Sequence, residues 1–226
     1  MKTFNHVGAA KELKPLSATQ VKGRRFYKTP EDNWYPSVTT IVSHISSATL
    51  KAWEERVGFE EAEKVRRTSA LRGTKYHGIV EAYLEGNHKK VEQSEGLPAY
   101  LFGFSRKVLD NIDNVHAIEA PLYSDLRIAG RVDCIAEYCG ELAIIDFKTT
   151  KELKREEWLH KYFVQEAAYA YMYWERTGCE VKKLVTISVA EDGQTQVVEK
   201  YDKTPYIDVL CEWIKEFRYY LEGIKS

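Results

Sequence analysis

A chain of 226 residues, with 33 Lys and Arg against 34 Asp and Glu and 44% hydrophobic content, can bury one substantial core but carries no general positive field for a polyanion. Contact with phosphate must therefore come from local clusters of side chains. No stretch approaches the roughly 20 consecutive apolar residues that cross a bilayer, so no membrane partner is expected.

In chain order, residues 24–27 and 33–38 read as two short strands about a turn at Thr29-Pro30-Glu31-Asp32. Helices are expected at 50–57 and 60–68, both rich in Glu, Lys, Arg and Ala, and at 74–84, where Gly86-Asn87 supplies a stop. A polar linker at 88–96 leads to Pro98, placed where a helix can begin, and Leu101, Phe104, Val108 and Ile112 continue near helical spacing. The richest strand pattern occupies 117–150. It holds a first strand at 117–123 carrying Glu119, a turn at Ser124-Asp125, and two apolar runs, 131–138 and 142–147, joined at Cys139-Gly140-Glu141. A helix at 157–176 closes at Gly178, and strands at 184–190 and 196–201 flank Glu191-Asp192-Gly193. The last helix has Thr204 as cap and Pro205 as first residue, and Ile207, Leu210, Cys211, Ile214, Phe217 and Leu221 form its buried stripe. The expected fold class is α/β, a central mixed β-sheet flanked by helices. One domain spans 1–226, with a hairpin and helical part over 1–115 and an αβ core over 116–226.

Two short stretches carry the chemistry: Gly130-Arg131-Val132-Asp133 and Ile145-Asp146-Phe147-Lys148-Thr149. A carboxylate inside an apolar strand is costly to desolvate unless a cation or a partner compensates. Side chains alternate along a strand, so Asp146 and Lys148 share one face, Phe147 points to the other, and Asp133 on the neighbouring strand reaches the same spot. Two carboxylates converging on one point suit a hard divalent ion, and a lysine beside them suits a phosphate oxygen. The ordinary alternative, a structural salt bridge, leaves two acids for one lysine.

Asp, hairpin, then Asp-x-Lys resembles the PD-(D/E)xK nuclease superfamily, with Val132 where the name has Pro. Within it the chain is similar to RecB-type nucleases and to the mitochondrial genome maintenance exonuclease family with its phage relatives. Arg72-Gly73-Thr74-Lys75-Tyr76-His77 resembles their Gly-x-x-x-His helix, Gln165-Glu166-Ala167-Ala168-Tyr169 their Gln-x-x-x-Tyr helix, and Tyr35-Pro36-Ser37-Val38-Thr39-Thr40-Ile41 an N-terminal segment of the phage members.

The resemblance implies a restriction-endonuclease-like core and a DNA exonuclease that uses one or two Mg²⁺ or Mn²⁺ ions and prefers single strands. His77, Asp133, Asp146 and the Phe147 carbonyl would hold the ion, Lys148 would act on the attacking water, and Glu119 would assist through a water. Gln165 and Tyr169 would contact the DNA backbone or steady Lys148, with Arg72, Lys75, Thr149 and Lys151 as further DNA contacts. Lys154 and Arg155 extend the basic run after the active strand, and Tyr76, Tyr83, Trp158 and Tyr162 offer faces on which bases can stack. Glu81, one turn after His77, either orients His77, binds a second cation or is a solvated acid. Cys134, Cys139, Cys179 and Cys211 lack C-x-x-C spacing and are expected to be free thiols, without an iron-sulfur cluster. The first 15 residues resemble neither a signal nor a transit peptide, so the expected location is the cytoplasm of a bacterium or phage-infected host. An endonuclease with the same site, and a silent DNA-binding subunit, are the rival readings.

Overall fold

A computed structural model describes residues 1–9 and 11–225. At the N-terminal end β1 (Ser17–Val21), β2 (Arg24–Lys28) and β3 (Trp34–Pro36) form an antiparallel sheet in that order. The sequence suggested only two of these strands. β1 carries no buried side chain and hence no apolar signal, and it exists by pairing with β2 from Ser17 opposite Lys28 to Val21 opposite Arg24. Lys22 and Gly23, at φ of 49° and 76°, make the tight turn between them, a left-handed pair that favours glycine in the second place.

The expected strand over 33–38 stops at Pro36, because Ser37 caps a helix instead. Its side chain accepts the Thr40 amide at the start of α1 (Val38–Ile45), which is followed by α2 (Ser47–Val57). The helices expected at 60–68 and 74–84 are one element, α3 (Phe59–Leu84), running through Gly73. A helical glycine costs roughly 1 kcal/mol relative to alanine, which the buried half of α3, including Tyr76, Val80, Tyr83 and Leu84, readily offsets. The linker contains a short α4 (His88–Glu92) capped by Asn87, and α5 (Gly96–Leu109) ends before Ile112, which begins a strand.

The main sheet is mixed, in the order β4 (Ile112–Ser124), β5 (Ile128–Tyr138), β6 (Glu141–Thr150), β7 (Lys183–Ala190) and β8 (Thr195–Lys200). Only β6 and β7 run parallel. Between them lie a 3-10 turn (Glu156–Leu159) and α6 (His160–Thr177), one crossover in place of the single helix expected from residue 157. The last helix is α7 (Thr204–Lys225).

Each face of the sheet has its own core. Ile135, Ile144 and Leu184 pack with Val164, Ala168 and Tyr173 of α6, Leu210 and Phe217 of α7, and Ile41 of α1. On the other face Cys134, Ile145, Phe147 and Val185 pack with Tyr76, Val80 and Tyr83 of α3 and Leu101 and Leu109 of α5. No helix among the described residues is long and apolar enough to cross a membrane.

Candidate active site

The site forms where β5 and β6 part. Their ladder runs from Tyr138 opposite Glu141 to Cys134 opposite Ile145 and ends there. Beyond it the Phe147 amide donates to Oδ2 of Asp133 at 3.0 Å, a charge-assisted bond that replaces ladder pairing. On the other edge of β5, Ile118 faces Cys134 and Ala120 faces Val132, which sets Glu119 across from Asp133. Glu119 takes a φ of 48°, left-handed backbone of the kind that costs about 1–3 kcal/mol and gathers at functional sites.

The middle of α3 delivers His77 to the same place. Its Nε2 donates to the Phe147 carbonyl oxygen at 2.8 Å, and its Nδ1 lies 3.6 Å from Asp133 Oδ2 and 4.0 Å from Glu119 Oε1. Burial alone would lower the imidazole pKa, but Asp133 and Glu119 outweigh it and hold the ring above its usual range. One donor atom each from His77, Glu119 and Asp133 lie within 4.8 Å of one another. Carboxylate oxygens and an imidazole, with a carbonyl oxygen beside them, are a donor set for a hard divalent cation. Glu119, expected either to help through a metal-bound water or to be a strand-end surface acid, stands within this cluster.

Asp146 and Lys148 lie on the face toward α6 while Ile145 and Phe147 enter the opposite core, as strand alternation requires. Asp146 is 1% exposed, accepts Gln165 Nε2 at 3.1 Å on Oδ1, and ion-pairs through Oδ2 with Lys148. Among the described residues Lys148 is the group that meets Oδ2. Burial pushes the Asp146 carboxyl up to about 6, with Lys148 pulling the other way. Burial also disfavours the Lys148 ammonium, yet Asp146 and Asp133 keep it charged and above its ordinary range. The arrangement concentrates negative charge around a position suited to a cation, with a permanently charged lysine alongside.

The expected DNA contacts divide. Lys75 and Lys151 are exposed. Arg72 is 8% exposed, donates from Nε to Thr149 Oγ1 at 3.2 Å and pairs with Glu191, so Arg72 and Thr149 form an internal clamp between α3 and the sheet rather than free phosphate ligands. Tyr169, at 2% exposure, packs against Gly130 and offers no surface to DNA, while the Gln165 amide is engaged with Asp146. Tyr76 and Tyr83 are fully buried, with hydroxyls donating to Ser105 and Asp110, which removes them as stacking platforms. Trp158 is 63% exposed and Tyr162 half-buried.

Sequence reasoning overlooked Glu166. It is fully buried, accepts the Thr186 hydroxyl on Oε1, and has no hydrogen-bond partner on Oε2 among the described residues. Burial pushes its carboxyl well above the usual range and Asp146 adds to the shift. The signal was available, because an acid within the apolar run around 163–170 is the same anomaly that marked Asp133 and Asp146.

Three curated proteins show what the chain is similar to, all of them mitochondrial genome maintenance exonuclease 1. The Xenopus tropicalis protein is 34% identical over 129 residues, 53% of this chain and 37% of that one. The mouse protein is 29% identical over 131 residues, 54% and 39% of the two chains, and the human protein 28% identical over 133 residues, 54% and 38%. The matched stretch thus spans little more than a third of each relative's length. A family profile described as the PD-(D/E)XK nuclease superfamily matches residues 42–226, most of the sequence and every residue of the site, and the chain belongs to that superfamily.

Proposed function

We propose that this protein is a Mg²⁺- or Mn²⁺-dependent DNA exonuclease that acts on single strands with a free end. The observation that carries the reading is the meeting of His77, Glu119 and Asp133 beside the buried Asp146–Lys148 pair. The relatives named as exonucleases support the choice among nuclease activities.

His77, Glu119, Asp133, Asp146 and the Phe147 carbonyl are the residues that would hold the ion. When bound, a divalent ion supplies Lewis acidity to the scissile phosphate and to the attacking water. Lys148 keeps its positive charge beside Asp146, orients that water and stabilises the negative charge that develops on the phosphate. Gln165 fixes the direction of the Asp146 carboxylate, and the Phe147 amide does the same for Asp133. Exposed Lys75 and Lys151 serve as phosphate contacts on either side.

The preference for single strands draws support from α2 and the first half of α3. α2 has no buried residue, and before Arg72 only Ala62 of α3 is buried. In this reading the two, with Phe59, Val65 and Leu71 exposed, are the arm that admits one strand to the site.

The test is cleavage of end-labelled linear single strands, linear duplex and circular single strands with Mg²⁺, Mn²⁺ or chelator. Loss of linear single strands alone, abolished by chelator and by Asp146→Ala, is the expected result. Cutting of circles would make the protein an endonuclease, and binding without cleavage in any metal would make it a silent DNA-binding subunit.

A further inference from the structure

Three ammonium groups converge on one aromatic ring just beyond the catalytic strand. Lys148 Nζ lies 5.0 Å from the centre of the Tyr162 ring, Lys154 Nζ 5.3 Å and Lys161 Nζ 5.5 Å. Lys154 also donates to the Tyr162 hydroxyl at 3.0 Å. The three come from separate places, the end of β6, the segment after it and the first turn of α6, so the fold assembles the cluster rather than a run of neighbouring residues.

Charge accounting makes the cluster unusual. Asp146 is the partner of Lys148. Among the described residues no carboxylate pairs with Lys154 or Lys161: of the acids near them in sequence, Glu156 is engaged by Lys200, and neither Glu152 nor Glu157 forms an ion pair with either lysine. One ring attracts cations through its π-face but cannot neutralise three of them. Burial would raise the Tyr162 hydroxyl, whereas Lys154, Lys148 and Lys161 together bring it below its usual range, the sign expected where positive potential is uncompensated. Lys154 and Lys161 are half-buried, and their ammonium groups share the Tyr162 ring with Lys148 of the site. Like charges gathered there call for an anion.

We propose that Lys154, Lys161 and Tyr162 form a seat for the backbone phosphate next to the scissile one, with Lys148 shared between the two positions. The seat rests on the nuclease reading and adds a second anchoring point to it: a strand held there is fixed in register before its phosphate meets Lys148. Trp158, one turn earlier and 63% exposed with Arg155 5.9 Å from its ring, lies where the base attached to that phosphate would find a π-face.

The experiment is single-turnover cleavage of a labelled oligothymidylate in Mn²⁺, with the half-saturating protein concentration measured across a series of NaCl concentrations. Each phosphate contact to a single strand contributes about 0.7 to the slope of log affinity against log salt. Lys161→Met and Lys154→Met are each expected to weaken half-saturation and to flatten that slope by about 0.5–0.7. Lys154→Arg is expected to keep it, and Lys89→Met on α4 to leave it unchanged. Lys161 forms no ion pair among the described residues, so its variant reads the seat even where Lys154→Met, which loses the bond to Tyr162, folds poorly. Variants that melt like the wild type yet keep the wild-type slope would overturn the seat while leaving the nuclease intact. A wild-type protein that cleaves no DNA would overturn both.

Discussion

Gly130 stands three residues before Asp133, and replacing it with alanine tests how the core holds the site. A Cβ there would lie 2.7 Å from Cε1 of Tyr169, 3.1 Å from its hydroxyl oxygen and 3.3 Å from Cζ, where ordinary contacts begin at 3.4 Å. The ring is 2% exposed, so it cannot swing into solvent, and an overlap of about 0.7 Å must be absorbed by α6 or β5. Gly130 is not among the residues with positive φ, so the cost comes from the contact and not from backbone strain. Overpacking of this kind costs about 1–3 kcal/mol, and the entropic gain of alanine over glycine in a strand returns about 0.5–1. The net loss, about 1 kcal/mol at mid-range and at most about 2.5, corresponds to a fall of roughly 2–5 °C in melting temperature at mid-range for a chain of this size. Gln165 sits one turn from Tyr169 on α6 and holds Asp146, so the displacement also reaches the site, where misplacement by ~1 Å can cost up to ~10²-fold in rate. Calorimetry and initial cleavage rates on Gly130→Ala, Tyr169→Leu and the double variant provide the measurement. The pair should be non-additive by about 1 kcal/mol, because Tyr169→Leu vacates the space the new Cβ needs. A Gly130→Ala protein that melts and cleaves like the wild type would refute the reasoning.

Lys148→Ala is expected to lower the cleavage rate by about 10²–10³-fold at saturating metal, read in single-turnover assays; wild-type turnover by the folded variant would remove Lys148 from the mechanism. Glu166→Gln should gain stability relative to the wild type as pH rises. The folded carboxyl titrates well above 4.5, so native Glu166 retains a proton that the unfolded chain releases above that value, and wild-type stability falls with pH until the native carboxyl also ionises. That window contributes up to about 1.4 kcal/mol per pH unit, and parallel melting curves from pH 5 to 8 with a constant gap between the two proteins would contradict it. Tyr76→Phe should cost about 0.5–1.5 kcal/mol by removing the bond to Ser105, with cleavage and DNA affinity unaltered; weakened DNA binding would instead restore Tyr76 as a stacking residue. Asp133→Asn should weaken Mn²⁺ binding by at least tenfold in calorimetric titration, and unchanged affinity would take Asp133 out of the ion site.

Strand periodicity made the hairpin of Asp133 and Asp146 legible, since two acids interrupting apolar runs stand out against any background, and the parity of Asp146, Phe147 and Lys148 decides which side chains face α6. β1 was invisible because its fully exposed residues have no burial pattern, and α1 because its capping serine follows a strand-like Trp-Tyr-Pro. Gly73 suggested a break that packing of α3 against the sheet overrides. Tyr76, Tyr83, Arg72, Gln165 and Tyr169 illustrate a different gap. Residue type declared what each could bind, but only three-dimensional contact shows that partners within the protein already occupy them.

Local chemistry written into the chain determined the β5–β6 hairpin, the sheet that carries it and the choice of Asp133, Asp146 and Lys148 as the proposed site residues. The tertiary structure alone decided that Glu119 joins His77 and Asp133, that Glu166 lies buried beneath Asp146, and that three lysines share the Tyr162 ring. Those groups are distant in sequence, and their charges act on one another only once folding brings them within a few ångströms in a medium that screens them far less than water does.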